Sequence, residues 1–158
     1  MIYITDATEE DLQRIIEIEK AAISPPWTHG ALLGEVFRDD SFFAVARECA
    51  RRAAPKVHAV HPIVGFVILR QVTDEGELFQ IAVDEAARRR GVADTLMEAA
   101  LGYASAKALI AVYLEVRISN EAAIHLYKKY GFVSARHRKN YFDSPVEDAV
   151  VMVRQRGV

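Results

Sequence analysis

The most informative stretch of the chain reads Arg88-Arg89-Arg90-Gly91-Val92-Ala93. It follows a run with strand character, residues 78–83, and opens a run with helix character, residues 93–106. A small-residue turn between a strand and a helix leaves the first helical N–H groups without partners. With the helix dipole behind them, these amides favour a phosphate or pyrophosphate. The pattern R-x-x-G-x-A is neither a dinucleotide fingerprint nor a nucleotide P-loop, so a different phosphorylated ligand is indicated.

The composition favours one globular domain, expected over residues 1–158. Hydrophobic residues make up 51% of the chain, which allows a packed core and argues against disorder. The 20 basic and 22 acidic side chains give a formal net charge of −2, whereas a general nucleic-acid binder would carry a strong basic excess. We therefore expect no direct nucleic-acid partner.

Cysteine usage and the N-terminal sequence indicate a cytoplasmic protein. The single cysteine, Cys49, excludes an internal disulfide and suits a reducing compartment. The first residues do not combine a basic region with a following apolar region, as a signal peptide does. No apolar run approaches the roughly 20 residues needed to span a bilayer, so no membrane partner is expected.

The hydrophobic pattern predicts the element order β-α-α-β-β-β-α-β-α-β-β. Strands are expected over residues 2–6, 41–47, 63–72, 78–83, 110–116, 133–141 and 149–153, and helices after Thr8 and over 29–38, 93–106 and 121–130. Consecutive strands followed by two β-α units imply an α/β (α+β) fold, a mixed sheet with helices on both faces. Residues 48–62, rich in Ala, Arg and His, are placed outside the core.

Glu115 stands near the end of the apolar strand expected at residues 110–116. Alternation places it, with Tyr113, on the face opposite to Leu114. A carboxylate in such a strand costs free energy unless it is paired or functional. Two interpretations remain open: an ion pair with Arg117 on the same face, or a partly buried general base.

Tyr127 lies on the following predicted helix, which Asn120 caps and Gly131 ends as a left-handed residue. Taken alone, it is typical of an ordinary amphipathic tyrosine. Together with Glu115 and the anion-binding turn, it completes a base, an acid and a cofactor cradle, although spacing does not show that they converge. Trp27, after a pair of prolines, is either core filler or the border of a peptide groove.

Two other features favour less specific interpretations. Cys49, His58 and His61 suggest a metal site, but no nearby carboxylate pair completes a ligand set, so no metal is expected. Nothing marks Cys49 as an activated nucleophile. The arginines at 88–90 could form a nucleic-acid patch or a solvated turn, but beside a helix N-terminus they fit phosphate binding better.

These residues carry a resemblance to a known family. Arg88-x-x-Gly91-x-Ala93, between a strand and a helix, resembles the acetyl-CoA pyrophosphate loop of the GNAT N-acetyltransferase superfamily. Residues 114–132, LEVRISNEAAIHLYKKYGF, are similar to its second core motif. The similarity is greatest to the RimI branch, the ribosomal-protein alanine N-acetyltransferases, which residues 26–28, 78–83, 138–142 and 147–149 support. It covers nearly the whole chain except residues 48–62.

The resemblance implies a mostly antiparallel sheet of about six to seven strands, splayed between its two central parallel strands. It implies acetyl-CoA as co-substrate, without a metal, and transfer of the acetyl group to the α-amino group of a protein N-terminus. The N-terminal alanine of a ribosomal protein is the first choice of acceptor. Other protein N-termini, a lysine or a small amine are the alternatives, as is a non-catalytic module that senses acetyl-CoA.

The resemblance also implies which positions form the site. Contacts to the cofactor are implied for one strand, the turn and two helix positions: Ile81, Ala82, Val83, Arg88, Arg89, Arg90, Gly91, Val92, Ala93, Asn120 and Tyr127. The strand backbone would bind the pantetheine arm and acetyl carbonyl, and the turn amides the pyrophosphate.

Catalytic and acceptor-binding roles follow from the same resemblance. Glu115 is the implied general base and Tyr127 the general acid, while Trp27 and Tyr141 are implied to bind the acceptor. Phe142 departs from the branch, which usually has a second tyrosine there, so the hydrogen bond of that hydroxyl is missing.

Overall fold

The computed structural model describes residues 1–49 and 61–157, which form seven strands and four α-helices. In chain order they are β1 (Ile2–Asp6), α1 (Leu12–Ala22), α2 (His29–Val36), β2 (Ser41–Glu48), β3 (Ile63–Val72), β4 (Glu75–Val83), α3 (Val92–Ala106), β5 (Ala111–Arg117), α4 (Glu121–Lys129), β6 (Val133–Asp143) and β7 (Val146–Gln155). Single 3-10 turns, Glu9–Asp11 and Glu85–Ala87, precede α1 and the start of α3. This is the predicted order of elements.

The strands form one mixed sheet in the order β1-β2-β3-β4-β5-β7-β6. Every neighbouring pair is antiparallel except β4 and β5, which run parallel. Their pairing extends only from Glu75 opposite Ala111 to Glu77 opposite Tyr113. The predicted splay between the two central parallel strands is thereby confirmed.

A bulge in β4 begins where this pairing ends. Leu69 on β3 lies opposite Leu78, whereas Ile68 lies opposite Gln80, so Phe79 is the extra residue. A bulge bends its strand and increases the local twist. The bend therefore coincides with the point at which β4 and β5 separate.

Two hydrophobic layers cover the two faces of the sheet. One packs α3 and α4 against the sheet, and its buried members include Leu96, Leu114 and Val116. The other packs α1 and α2 against the opposite face around Ile15 and Phe66. The prediction of helices on both faces is confirmed.

Some element boundaries differ from the predicted ones. The helix expected over residues 29–38 ends at Val36, and the helix expected to reach Tyr130 ends at Lys129. β4 begins at Glu75 instead of residue 78, because Gly76 is paired on both edges and packs closely against Leu69 and Leu109.

The prediction for residues 48–62 is corrected in part. Glu48 ends a strand and Cys49 is buried in the core, while residues 50–60 lie outside the described part of the chain. Among the helices that the structure describes, none is long and apolar enough to cross a membrane.

Gly65 provides a test of the packing between β3, β4 and α3. A Cβ at this position would lie 2.8 Å from the carbonyl oxygen of Ala82 and 3.0 Å from Cδ1 of Leu96. We expect Gly65→Ala to lower the free energy of unfolding by about 1–3 kcal/mol, measured by urea denaturation. Gly102→Ala is the control, since a Cβ there meets no atom within 4 Å. It should raise stability by up to about 1 kcal/mol through helix propensity. Equal stability of Gly65→Ala and the wild type would contradict the close packing.

Candidate active site

A cleft of about 560 Å³ opens where β4 and β5 separate, on the sheet face that carries α1 and α2. Its walls come from both central strands, from β6 and β7 and from the α1–α2 loop, and they include Glu77, Phe79, Tyr113, Glu115, Arg138 and Tyr141. The lining also includes Leu78 and Leu114, which belong to the core layer of the other face. The cleft therefore reaches into the gap between the strands.

Glu115 is directed into this cleft by the alternation of β5. Leu114 and Val116 are buried in the layer beneath α3 and α4, so Glu115 between them faces the other way, as predicted. Its side chain is 31% exposed, and its Oε1 atom lies 3.5 Å from Nε of Arg138. A carboxylate in this setting is accessible to a ligand and is held by one cation.

One of the two interpretations of Glu115, an ion pair with Arg117, is wrong. The Arg117 guanidinium instead lies 3.5 Å from Glu147 and donates hydrogen bonds to the carbonyl oxygens of Ser24 and Pro145, both at 2.8 Å. It also stacks over the Phe142 ring at 4.4 Å. Arg117 thus connects the α1–α2 loop to the β6–β7 hairpin at the edge of the cleft.

A second bulge brings Tyr141 to the cleft. Arg138 on β6 pairs opposite Ala149 and Phe142 pairs opposite Glu147, so residues 139–141 bulge out. Asn140 adopts a left-handed backbone with φ 51°. The pKa of Tyr141 is raised, first by hydrogen bonding of its hydroxyl toward the Glu115 carboxylate. The predicted acceptor-binding residue Tyr141 and the predicted base Glu115 therefore line the same cleft as neighbours.

Trp27 belongs to the core and also lines the cleft, and its predicted role in acceptor binding stays a prediction. Its ring packs on Phe79, the bulged residue of β4, with ring centroids 5.4 Å apart, and it joins the α1–α2 core layer. It also lines the cleft. The tryptophan is half-buried, with one side in the core and another on the wall of the site.

Tyr127 lies on the other side of the sheet from Glu115. It is 8% exposed, packs with Phe132 at a ring distance of 5.8 Å, and belongs to the layer of α3 and α4. Burial raises the pKa of Tyr127 to about 12, so the phenol keeps its proton throughout the neutral range. The structure thus separates the predicted acid and base onto two faces.

The turn before α3, which is predicted to bind an anion, contains two residues with left-handed backbones. Arg89 and Gly91 adopt left-handed backbones, with φ of 59° and 77°, and α3 begins at Val92 without a side-chain cap on its first amides. The Val92 side chain is 1% exposed and anchors the turn in the core. Arg90 forms an ion pair with Glu48 at the end of β2.

The remaining positions predicted to bind the cofactor lie on β4 and at the start of α4. Ile81, Ala82 and Val83 pair with β3 on one edge, and their other edge lies beyond the last residue pair with β5. Asn120 caps α4, since its Oδ1 atom accepts from the Ala123 amide at 3.2 Å. Gly131 ends that helix in the left-handed region at φ 86°, which confirms both helix-end predictions.

Sequence reasoning missed several residues that shape the site. Phe79 and Arg138 are the most important, and a signal existed only for Phe79. The run Leu78-Phe79-Gln80 breaks strict alternation, which is typical of a bulge. Also missed was Asp94 in the first turn of α3, which accepts hydrogen bonds from Lys129 and Tyr130 at 2.6 and 2.8 Å and ties α3 to α4.

No group of three or more His, Cys, Asp or Glu side chains within residues 1–49 and 61–157 is arranged to hold a metal ion. His58, one member of the suggested cluster, lies outside those ranges.

Comparisons with known proteins agree with this geometry. The family model of the acetyltransferase (GNAT) family matches residues 12–132. The [ribosomal protein bS18]-alanine N-acetyltransferase of Haemophilus ducreyi is 34% identical over 152 residues, 94% of this chain and 97% of that protein. The enzyme of the same description from Salmonella typhimurium is 35% identical, over 90% and 89% of the two chains. The crystal structure of the ribosomal-protein-S18-alanine N-acetyltransferase from Escherichia coli superposes with a TM-score of 0.82 at 29% identity, over 98% and 94% of the chains.

The chain therefore belongs to the GNAT acetyltransferase family, the acetyl-CoA-dependent N-acetyltransferases. The predicted similarity to the RimI branch of that family is confirmed by the two bacterial relatives and the solved structure.

The contact between Tyr141 and Glu115 can be tested by titration of the phenol. The negative carboxylate disfavours the phenolate, so Tyr141 should ionise above the ordinary tyrosine pKa of about 10, and Glu115→Gln should bring its midpoint down. The measurement is phenolate absorbance against pH. The Tyr141 signal is the difference between the wild type and Tyr141→Phe, and it is compared with the same difference in the Glu115→Gln background. An unchanged midpoint would refute the contact.

Proposed function

We propose that the protein transfers the acetyl group of acetyl-CoA to the α-amino group of a protein N-terminus, with the N-terminal alanine of ribosomal protein bS18 as its acceptor. The similarity to bS18-alanine N-acetyltransferases over nearly the whole chain supports the acceptor. One geometric observation carries the chemistry: a carboxylate opens into the cleft where β4 and β5 separate, and a buried phenol lies in the core layer on the opposite face of the sheet. That arrangement suits an acid and a base on opposite sides of one thioester.

The cofactor is proposed to lie along the strand, the turn and the helix named above. The N–H groups of Arg89 to Ala93 would hold the pyrophosphate, because left-handed Gly91 and the uncapped start of α3 leave these amides free for it, whereas the Arg88 N–H donates to the carbonyl oxygen of Glu85 at 3.3 Å. The unpaired edge of Ile81, Ala82 and Val83 would hold the pantetheine arm and polarise the acetyl carbonyl. Asn120 and Tyr127 would complete these contacts.

Glu115 is proposed as the general base. An amine attacks a thioester only when neutral, and an α-amino group with a pKa near 8 needs less help than a lysine near 10.4. Glu115 would take the amine proton directly or through a water. Its contacts with Arg138 and Tyr141 would fix the carboxylate for that transfer. Trp27 and Tyr141, which both line the cleft, would hold the acceptor.

Tyr127 is proposed as the general acid. It would donate its proton to the departing thiolate, and a phenol with a pKa of about 12 is fully protonated and available at neutral pH. No covalent intermediate with the protein is needed, because the amine attacks the thioester directly.

The acid and base roles predict distinct kinetic effects. Glu115→Gln should lower kcat by about 10²- to 10⁴-fold, the usual contribution of general-base catalysis. Tyr127→Phe should slow release of free thiol, by a factor that is constant from about pH 6 to 9 because the phenol does not titrate there. Wild-type rates in both variants, with chemistry rate-limiting, would contradict the assignment.

The identity of the acceptor can be tested by comparing different amines at one fixed concentration of acetyl-CoA, with the release of free thiol as the readout. We expect the greatest kcat/KM for a peptide that begins with the alanine sequence of bS18, and lower values for a lysine-containing peptide with a blocked N-terminus and for a small polyamine. A preference for lysine or the polyamine would replace the proposed acceptor. Tight acetyl-CoA binding without turnover of any amine would favour the sensing module.

A further inference from the structure

The first turn of α3 contains a carboxylate beside the amides that are proposed to hold the pyrophosphate. This residue, Asp94, follows left-handed Gly91 and the two residues that open the helix. A negative charge in the first turn stabilises a helix, because it interacts favourably with the helix dipole. The same charge repels a phosphate that approaches the start of the helix. Asp94 therefore weakens the anion site unless its charge is compensated.

Two side chains at the end of α4 hold the Asp94 carboxylate. Its Oδ1 atom accepts hydrogen bonds from Nζ of Lys129 at 2.6 Å and from the Tyr130 hydroxyl at 2.8 Å. The bond from Lys129, and after it the bond from Tyr130, lowers the pKa of Asp94, so the carboxylate is ionised at neutral pH. The negative charge is therefore present throughout the neutral range, and a neighbouring cation is needed to offset it.

Lys129 is placed by the fold to supply this cation. It is the last residue of α4, where the helix dipole favours a positive charge. The end of α4 is fixed to the sheet, because Nε of Arg154 on β7 donates a hydrogen bond to the Tyr130 carbonyl oxygen at 2.7 Å. The side chains of Lys129 and Asp94 are 57% and 34% exposed, so a charged ligand has access to the pair.

A second carboxylate increases the need for a cation at this place. Glu98 lies one turn after Asp94 on α3, and its Oε1 atom accepts a hydrogen bond from the Tyr130 hydroxyl at 3.3 Å. Two carboxylates four residues apart on a helix repel each other. Without Lys129, the side of α3 that faces Tyr130 would carry two negative charges near the anion-binding turn. With Lys129 in place, the charge nearer to the turn is neutralised.

We propose that Lys129 determines the affinity of the protein for acetyl-CoA by neutralising Asp94 beside the pyrophosphate. This inference rests on the proposed placement of the pyrophosphate at the turn before α3. It gives a role in cofactor binding to the C-terminal end of α4, the helix that also contains Tyr127. The affinity then depends on the net charge of the pair and not only on the hydrogen bonds that join the two helices.

Substitutions that remove one charge of the pair should shift the affinity in opposite directions. Asp94→Asn keeps the shape of the side chain and one acceptor oxygen, so the Kd for CoA should fall by about two- to fivefold, the effect of one charge near a helix terminus. Lys129→Met keeps the length of the side chain and leaves Asp94 uncompensated, so the Kd should rise by about the same factor. The double variant should lie within about a factor of two of the wild type. The measurement is isothermal titration calorimetry with CoA at about 10 mM salt, where screening is weak.

Two controls isolate the effect of charge at the turn. Asp40→Asn also removes the carboxylate of an ion pair, but Asp40 acts on Tyr103, about 13 Å along α3 from Asp94, so its Kd for CoA should equal that of the wild type. S-acetyl-pantetheine is an acetyl donor without phosphates. Its kcat/KM should be the same for the wild type, Asp94→Asn and Lys129→Met, because no phosphate then lies at the turn.

The sign of each shift decides the outcome, so either single variant is sufficient. Weaker CoA binding in both single variants would overturn the inference, because the pair would then be only a structural link between α3 and α4. Unchanged Kd values in both variants overturn it as well, as does an equally large effect with S-acetyl-pantetheine. Urea denaturation of each variant verifies that it is folded during the titration. A wild type that binds CoA and acetylates no amine refutes the proposed function and leaves this inference standing.

Discussion

The parallel pairing of β4 with β5 ends after Glu77 and Tyr113, and the geometry of the candidate site follows from this interruption. Each of the two strands is held on its outer edge, β4 by β3 as far as Val83 and β5 by β7 along its whole length. The outer pairings fix both strands, so the gap between them is a property of the sheet. Backbone groups along such an edge have no strand partner and remain available to a ligand.

The gap also explains how residues on opposite faces of a sheet could serve one reaction. In a continuous sheet, side chains that alternate along β5 would be separated by a layer of backbone. Here Leu78 and Leu114, which belong to the layer of Tyr127, also line the cleft that contains Glu115. A reacting group in the gap would therefore be within reach of both layers.

The sequence predicted what depends on local pattern. The order of elements, the faces of β5, the cap at Asn120 and the left-handed Gly131 each depend on residues close together in the chain, and the structure confirms them. The partner of Glu115 depended on distant residues. Arg117 is on the same face two positions away, but two loop carbonyls, from Ser24 and Pro145, attract its guanidinium.

The residues that strand bulges bring to the cleft are the second feature that could not be predicted from the sequence. Phe79 and Tyr141 reach the cleft because β4 and β6 each contain residues that the neighbouring strand does not match. A pairing register is a property of two strands, so one strand's pattern can indicate a bulge, as at Phe79, but cannot show which site the extra residue reaches.

The two layers of the molecule differ in chemistry as well as in position. Four buried polar or charged residues occur in the described ranges, Asp11, Glu19, Glu35 and Gln80. Three belong to α1, α2 or the turn before α1, and Gln80 follows the bulge of β4. The layer of α3 and α4 is built from apolar side chains and Tyr127.

Because the α1–α2 layer contains buried carboxylates, the protonation of this layer depends on the residues that neighbour them. Desolvation raises the pKa of Glu19, and the nearby Gln80 side chain opposes that rise, so the protonation of Glu19 on α1 depends on the strand that forms the cleft wall. Because such groups are stable only with their partners in place, the layer that faces the proposed acceptor depends on specific polar contacts. The layer that faces the proposed cofactor depends on apolar packing, which tolerates substitution when volume is kept. Changes of acceptor preference are therefore expected to arise in α1, α2 and the strands beneath them, while the anion-binding turn of α3 stays the same.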